Sequence, residues 1–425
     1  MPKQDHSAGV LFSERSLRVS DRHLLKAVLF FIIFKMLFDL FWRVPLFEIS
    51  GIAFPIHRVV AAFVPCALIA VLVSRVLLRK TVVFNRSVLG GCFVLLTFIS
   101  LLFNAGMNTY AQYSRLMNFM LIFFAVPMLF RDEKQFVKVV VLLLWVSFIP
   151  TLISYLQAHH ILPFSYYDVL PGLGNIGRIS GGYHHPTGYL NYLLVLFPAG
   201  IYIQRKDKRF YWLMVVWVVL TFPMVVRSFH RAAMILFLLQ CLIFLLLTET
   251  RKRKIFFLVC LLVLLGIFSS HLWALINQGN SITDLHFRGR DLIWSRYLDH
   301  FQRLDPWQKV IGQGTPILPS GGGDEPHSDW IRLLISYGAV GIVLYVSFLA
   351  SMGMRFFSFF VYNQKGMRYE GLIGLTLIMT LVLYSVTMEP LRYSSFTWLF
   401  GLVLGYVYMR CVPPVFIRVS KPELK

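Results

Sequence analysis

His327 stands at a junction between two kinds of sequence. The stretch from Gly321 to Gly341, GGGDEPHSDWIRLLISYGAVG, begins as a glycine-rich acidic loop and ends as the start of a hydrophobic helix. Pro326-His327-Ser328-Asp329 reads as a helix start, with Ser328 or Asp329 able to cap it. The positive end of a helix disfavours the imidazolium form, so a histidine there tends to stay neutral near physiological pH. A neutral imidazole can accept a proton, which makes His327 a candidate general base. The competing reading is an interfacial histidine making one capping hydrogen bond.

Arginines supply the other candidate chemistry. In VVRSFHRAAMILFL, Arg227 and Arg231 lie four residues apart at the edge of a hydrophobic segment, with His230 beside them. On one helix, like charges at that spacing repel by a few tenths of a kcal/mol. Each also costs roughly 2.5 to 3.5 kcal/mol if it sits deep in a bilayer. An anion held between them would offset both costs, and anchoring to lipid headgroups is the alternative. In RGRDLIWSRYLDHFQRL, the residues Arg290, Ile293, Trp294, Tyr297, Leu298 and Phe301 share one helical face, and Asp291, Arg296, Asp299 and Arg303 occupy the rest. That pattern predicts an amphipathic helix lying on a membrane surface or on a bundle. Arg290 begins the apolar face whereas Arg288 does not, so an inward cation at a helix start offers an anion site. Snorkelling of Arg290 to headgroups is the competing reading. Arg178 and Arg332 are further candidates on position. Asp324, Glu325 and His327 lack a fixed metal-ligand geometry, and no D-x-D or H-x-x-x-H spacing occurs, so neither metal nor other cofactor is expected.

The elements that must hold these side chains are membrane helices. A hydrophobic fraction of 57%, a charged fraction of 14% and a mean hydropathy of +0.67 do not describe an ordinary soluble domain. The expectation is an all-α, polytopic, single transmembrane domain over residues 1–425, with the lipid bilayer as its solvent and about twelve spans. These fall near Leu24 to Trp42, Val59 to Leu78, Ser87 to Asn104, Leu116 to Phe130, Phe136 to Leu156, Thr187 to Ile203, Tyr211 to Val225, Ala232 to Leu247, Ile255 to Ile276, Trp330 to Ala350, Gly371 to Met388 and Phe396 to Met409. Basic clusters occupy every second connection, which places both termini in the cytoplasm and accounts for the formal charge of +21 without nucleic acid. The polar residues before the first span lack a small-residue cleavage site, so the first helix is expected to remain uncleaved. Two exoplasmic loops are long, 157–186 and 277–328, the second carrying the amphipathic helix; both are too rich in aromatic and aliphatic residues to be disordered. GLGNIG, Gly172 to Gly177, matches a dinucleotide-binding pattern, but with no leading strand or βαβ unit it reads as an accidental match in a flexible loop. Cys66, Cys92, Cys241, Cys260 and Cys411 are scattered through hydrophobic segments and read as fillers.

In order along the chain, RSFHRAA (Arg227 to Ala233), RGRDLIW (Arg288 to Trp294), the turn KVIGQGT (Lys309 to Thr315) and PHSDWIRLLISYGAVGIVLYV (Pro326 to Val346) resemble the bacterial O-antigen polymerase and O-antigen ligase superfamily. The resemblance covers roughly the second half of the chain, and YHHPTGYLNY (Tyr183 to Tyr192) resembles a further family segment. Ser328 stands where the family usually has Asn after the histidine, and Thr187 where Asn is common. The resemblance implies a GT-C-like fold in the bacterial inner membrane, with the site facing the periplasm. It also implies a metal-independent glycosyltransferase whose donor is an oligosaccharide on undecaprenyl pyrophosphate. By that resemblance Arg231 and Arg290 hold the pyrophosphate and His327 activates the acceptor hydroxyl; Arg227 and Arg178 are additional phosphate-contact candidates on position alone. The implied partners are the lipid-linked glycan donor, a glycan or lipid acceptor and a chain-length regulator. Within the family the HSDWIRLLISYG segment looks more like a polymerase of O-antigen or exopolysaccharide repeats. The alternatives are a ligase that moves the glycan to lipid A-core or protein and, from another class, a lipid-linked glycan transporter.

Overall fold

A computed structural model of the chain describes residues 19–49, 52–77, 81–104, 107–130, 132–164, 166–170, 174–247, 250–269, 290–315, 325–362 and 367–418. The amino-terminal tail, Arg288 and Asp324 lie outside the described residues. The long helices are α1 (Val19–Phe38), α2 (Ile56–Leu77), α3 (Val88–Phe103), α4 (Met107–Leu129), α5 (Glu133–Ala158), α6 (Pro186–Lys206), α7 (Phe210–Arg227), α8 (Arg231–Leu247) and α9 (Arg251–Ile267). After residues 270–289 come α10 (Arg290–Arg303), the short α11 (Pro306–Ile311), α12 (Asp329–Tyr362), α13 (Arg368–Thr387) and α14 (Ser394–Cys411). Each of the twelve segments expected to span overlaps one of these helices, the ninth as far as the described residues reach. Among the described residues, α5, α7, α12, α13 and nearly all of α2 are long and apolar enough to cross a bilayer. The chain therefore has the build of a helical membrane protein. Some boundaries differ: α12 runs twelve residues past the expected end at Ala350, and the expected ninth span ends outside the described residues.

Six short strands add to the all-α expectation. β1 (Pro45–Ile49) with β2 (Ile52–Pro55), and β4 (Tyr166–Leu170) with β5 (Gly174–Arg178), are antiparallel hairpins. β3 (Thr81–Phe84) pairs with β6 (Val415–Arg418). Such two-stranded pieces satisfy backbone groups where the chain leaves a helix. The reading of GLGNIG is corrected in one respect: a strand, β4, does lead towards it, and Gly174 to Gly177 form the return strand of a hairpin rather than a flexible loop. A hairpin has no helix to receive a phosphate, so the dinucleotide match stays accidental.

Polar contacts tie the helix ends into two layers. At one, the Glu133 end, Lys206 Nζ reaches Glu133 Oε1 at 2.9 Å and Glu370 Oε1 at 2.8 Å, while Arg410 Nη2 lies 3.8 Å from Glu133 Oε2. This joins the starts of α5 and α13 to the ends of α6 and α14. The β3–β6 pair lies there too, with Asn85 Nδ2 donating to Phe123 O and Gly405 O at 2.6 and 3.0 Å. At the opposite end, Lys35 near the end of α1 is 1% exposed and forms an ion pair with Asp39, whose second oxygen accepts from Tyr192 Oη at 2.6 Å. The core between the layers is aromatic-rich, with Phe136 stacked on Tyr406 at 3.6 Å between ring centres.

A joint in α12 docks the loop that precedes it. Gly338, with φ 68° and ψ −172°, breaks the helical geometry and leaves the carbonyls of Ile335 and Ser336 without their usual i+4 acceptance pattern. The backbone N–H groups of Gln313 and Gly314 fill that gap, donating to Ile335 O at 3.0 Å and Ser336 O at 2.9 Å. Gly312 is also at positive φ, 83°, and a side chain on either glycine would collide with the other strand's backbone. Asn104 at the end of α3 donates to Gly312 O at 3.3 Å. The Gly-x-Gly turn and the glycine of the α12 kink are thus the two halves of one contact, which fixes α10 and α11 against the bundle.

Candidate functional site

The end of α13 is where Arg290, His230 and the segment around His327 meet. Its last turn and the following residues, Ser385 to Leu391, receive side chains from three other parts of the chain. Arg290 Nη1, at the start of α10, donates to Thr387 O at 2.6 Å. Exposed carbonyls and the negative end of the helix dipole make a helix C-terminus a natural seat for a guanidinium. Ser328 Oγ donates to Ser385 O at 3.1 Å and Asp329 N to Met388 O at 3.1 Å, which fix the segment around His327. His230 places Nε2 3.3 Å from Met388 Sδ. Arg392, in the 3-10 turn Pro390–Arg392, bridges Glu389 Oε2 at 3.3 Å and also pairs with Glu325.

The expected cap of α12 takes another form. Ser328 spends its hydroxyl on α13, and Asp329, fully buried, accepts from Leu391 N at 2.9 Å and Ser385 Oγ at 3.2 Å. Both groups thereby hold the turn after α13. Arg332, one turn on, is buried beside Asp329, with Nη2 3.8 Å from Oδ1. His327 itself is exposed, with φ 48°, and projects from the chain just before the helix begins. Trp294 Nε1 donates to Pro326 O at 2.8 Å and so brings the first turn of α10 next to it.

The Arg227 and Arg231 pair is corrected. α7 ends at Arg227 and α8 begins at Arg231, with Phe229 between them at φ 52°, so the two are not successive turns of one helix. Arg227 turns away towards α5 and donates to Ala158 O at 3.4 Å. The break instead presents His230, which is 9% exposed. Its Nδ1 accepts from Ala233 N at 3.3 Å, so the neutral ring carries its proton on Nε2. Arg178, 7% exposed at the end of β5, reaches across to donate from Nε to Ser228 O at 2.8 Å. Burial, with Arg178, His185 and Arg290 nearby, pushes His230 down to about 3. Arg178, His185 and Arg290 lie around one imidazole, so the hairpin, the start of α6, the α7–α8 break and α10 converge. Arg231 follows His230 directly and opens α8 at the same end.

Sequence reasoning passed over several participants. His185 caps α6, its Nδ1 accepting from Thr187 N at 3.2 Å with Thr187 Oγ1 at 2.6 Å. Tyr384 sits with its ring 5.9 Å from that of His230. Asp329, Glu389, Arg392 and Tyr393 line the turn after α13. The available signal was the run MEPLRY, an acid and a base flanking proline between two hydrophobic segments. On α10, Ile293, Trp294, Tyr297 and Phe301 turn inward as expected, whereas Leu298 is 43% exposed, one position too far round the helix.

The result is a cationic, partly buried cluster at one end of the bundle, with an exposed histidine beside it and two buried carboxylates behind. It suits an anion with several oxygens, for which guanidinium geometry is well matched. No group of three His, Cys, Asp or Glu side chains able to hold a metal occurs among the described residues. The chain matches no protein-family model and no curated protein.

Proposed function

We propose that the chain is an inner-membrane glycosyltransferase that joins repeat units carried on undecaprenyl pyrophosphate, working at the periplasmic face. In this reading all twelve alternating helices span a GT-C-like bundle, and the His327 end faces the periplasm. The basic residues of the Glu133 end then lie in the cytoplasm, in keeping with the distribution of Lys and Arg. The observation that carries the reading is the convergence of His230, Arg290 and the His327 segment on Ser385 to Leu391, with Arg178 bonded to Ser228 O beside His230.

The chemistry follows from the charges. An acceptor hydroxyl attacks the anomeric carbon, a carbon–oxygen bond forms, and the bond from that carbon to the lipid pyrophosphate breaks. Negative charge grows on the departing pyrophosphate, and guanidiniums of Arg290, Arg231 and Arg178 held in place by the fold stabilise it as it grows. His327, exposed beside them, takes the hydroxyl proton. Neutral His230 adds an N–H donor without joining the cationic charge. The candidates gather at helix ends instead of lining a midplane cavity, which favours chemistry at one face over transport.

Surface polysaccharide from a strain lacking the gene tests the reading. Single-repeat product indicates a lost polymerase; long chains left on the carrier lipid indicate a ligase and overturn the polymerase assignment. Unchanged polysaccharide overturns both.

A further inference from the structure

A second polar site lies at the other end of the molecule, between the inner ends of α12 and α14. An open cleft of about 530 Å³ is bounded by Ser351, Met354, Arg355, Ser358, Phe359 and the Cys411 to Pro413 turn. That volume lies within the range of small-molecule sites, roughly 300 to 1,000 Å³. Its lining mixes the Arg355 guanidinium and the hydroxyls of Ser351 and Ser358 with the apolar side chains of Met354, Phe359, Val412 and Pro413. A second guanidinium approaches from the α2–α3 connection. Arg86 and Arg355 both lie within electrostatic range of the Tyr408 phenol, and Tyr408 Oη donates to Arg86 O at 2.7 Å. Tyr408 therefore brings two exposed arginines from distant parts of the chain into one neighbourhood, of which Arg355 lines the cleft.

We infer that this cleft binds the phosphate of an anionic phospholipid from the leaflet at the Glu133 end. A soluble phosphate would satisfy the guanidiniums but leave the apolar part of the lining against water. A phosphodiester headgroup with its acyl chains satisfies both, since Met354, 67% exposed, and Phe357, 55% exposed, continue the apolar surface along α12. The inference rests on the membrane embedding and not on the glycosyl-transfer reading, so either can fail alone.

The test is native mass spectrometry of the delipidated full chain titrated with phosphatidylglycerol or phosphatidylcholine. Thermal unfolding with inorganic phosphate runs alongside. Wild-type protein should bind phosphatidylglycerol in preference. Each basic side chain near an anionic lipid surface contributes about 1 kcal/mol, so Arg355→Ala should weaken that binding about fivefold, and Arg86→Ala with Arg355→Ala about thirtyfold. Arg355→Lys should keep most of it, which separates lost charge from lost folding. Arg209→Ala, a control 91% exposed at the same end, should leave it unchanged. Three results would overturn the site: equal binding of both lipids, a loss on Arg209→Ala as large as on Arg355→Ala, or stabilisation by inorganic phosphate equal to that by phosphatidylglycerol.

Discussion

Substituting Gly338→Ala tests how the loop that carries Arg290 is held. The residue sits at φ 68° and ψ −172°, a region open almost only to glycine, and forcing alanine there costs about 1 to 3 kcal/mol. The added methyl also meets the Val310 carbonyl and the Gly312 amide nitrogen, 2.6 Å away, so the turn must withdraw. Withdrawal gives up the bonds from Gln313 N and Gly314 N to α12, each contributing about 1 kcal/mol. Together the local opening becomes easier by about 3 to 5 kcal/mol, a factor between roughly a hundred and a few thousand in the opening equilibrium. Hydrogen exchange on the full chain in detergent or nanodiscs reads this directly at the Gln313 and Gly314 amides. Protection should fall by that factor there and across α10 and α11, while the α4–α14 contact keeps its protection. Less than a tenfold change at the two amides would refute the view that the glycine kink and the Gly-x-Gly turn are one joint. Gly312→Ala, also at positive φ, should reproduce the effect.

Other outcomes follow from the buried polar groups. His230 is held near 3 in the folded protein against an ordinary 6.5, so the unfolded chain binds its proton first as pH falls. Its contribution to stability is therefore fully present above pH 6.5 and is lost by about 1.4 kcal/mol for each unit below that, towards pH 3; His230→Asn should flatten thermal stability between pH 4 and 6.5. Lys35→Met strands Asp39 inside the bundle and should cost about 3 to 5 kcal/mol in denaturant unfolding, with most of it recovered by adding Asp39→Asn. Asp329→Ala leaves Leu391 N unpaired in a buried turn and should destabilise by about 1 to 3 kcal/mol, loosening the seat of Arg290 on Thr387 as read by hydrogen exchange at Met388 to Leu391.

Much of the bundle was legible because hydrophobic runs of bilayer length survive any detail of packing. The inward face of α10 was legible for a similar reason: the three and four spacing of Ile293, Trp294, Tyr297 and Phe301 is set by helix geometry alone. The break at Ser228 to His230 was not, since it contains neither Gly nor Pro and the apolar period runs straight through it. Phe229 takes a left-handed conformation there that tertiary contacts impose, and with it the spacing of Arg227 and Arg231 loses its meaning. The gathering point at Ser385 to Leu391 was hidden for another reason. Its carbonyls carry no side-chain signature, and its partners Arg290, Ser328 and His230 lie 57 to 158 residues away in sequence, so only the folded bundle brings them to one helix end. The Gly-x-Gly turn and Gly338 were each visible as punctuation, but their pairing across the intervening loop was not.

The central claim is that Arg290, seated on the end of α13, together with Arg231 and Arg178 binds a departing pyrophosphate while His327 takes a proton. Purified full-length protein given a synthetic undecaprenyl-pyrophosphate repeat unit measures it most directly, with product length followed beside Arg290→Ala, His327→Ala and the distant control Arg209→Ala. Chain growth by wild type and the control, with loss of at least about a hundredfold in the two site variants, is the predicted result. Growth that survives both substitutions undiminished, or wild-type protein that leaves the substrate unchanged, would contradict it.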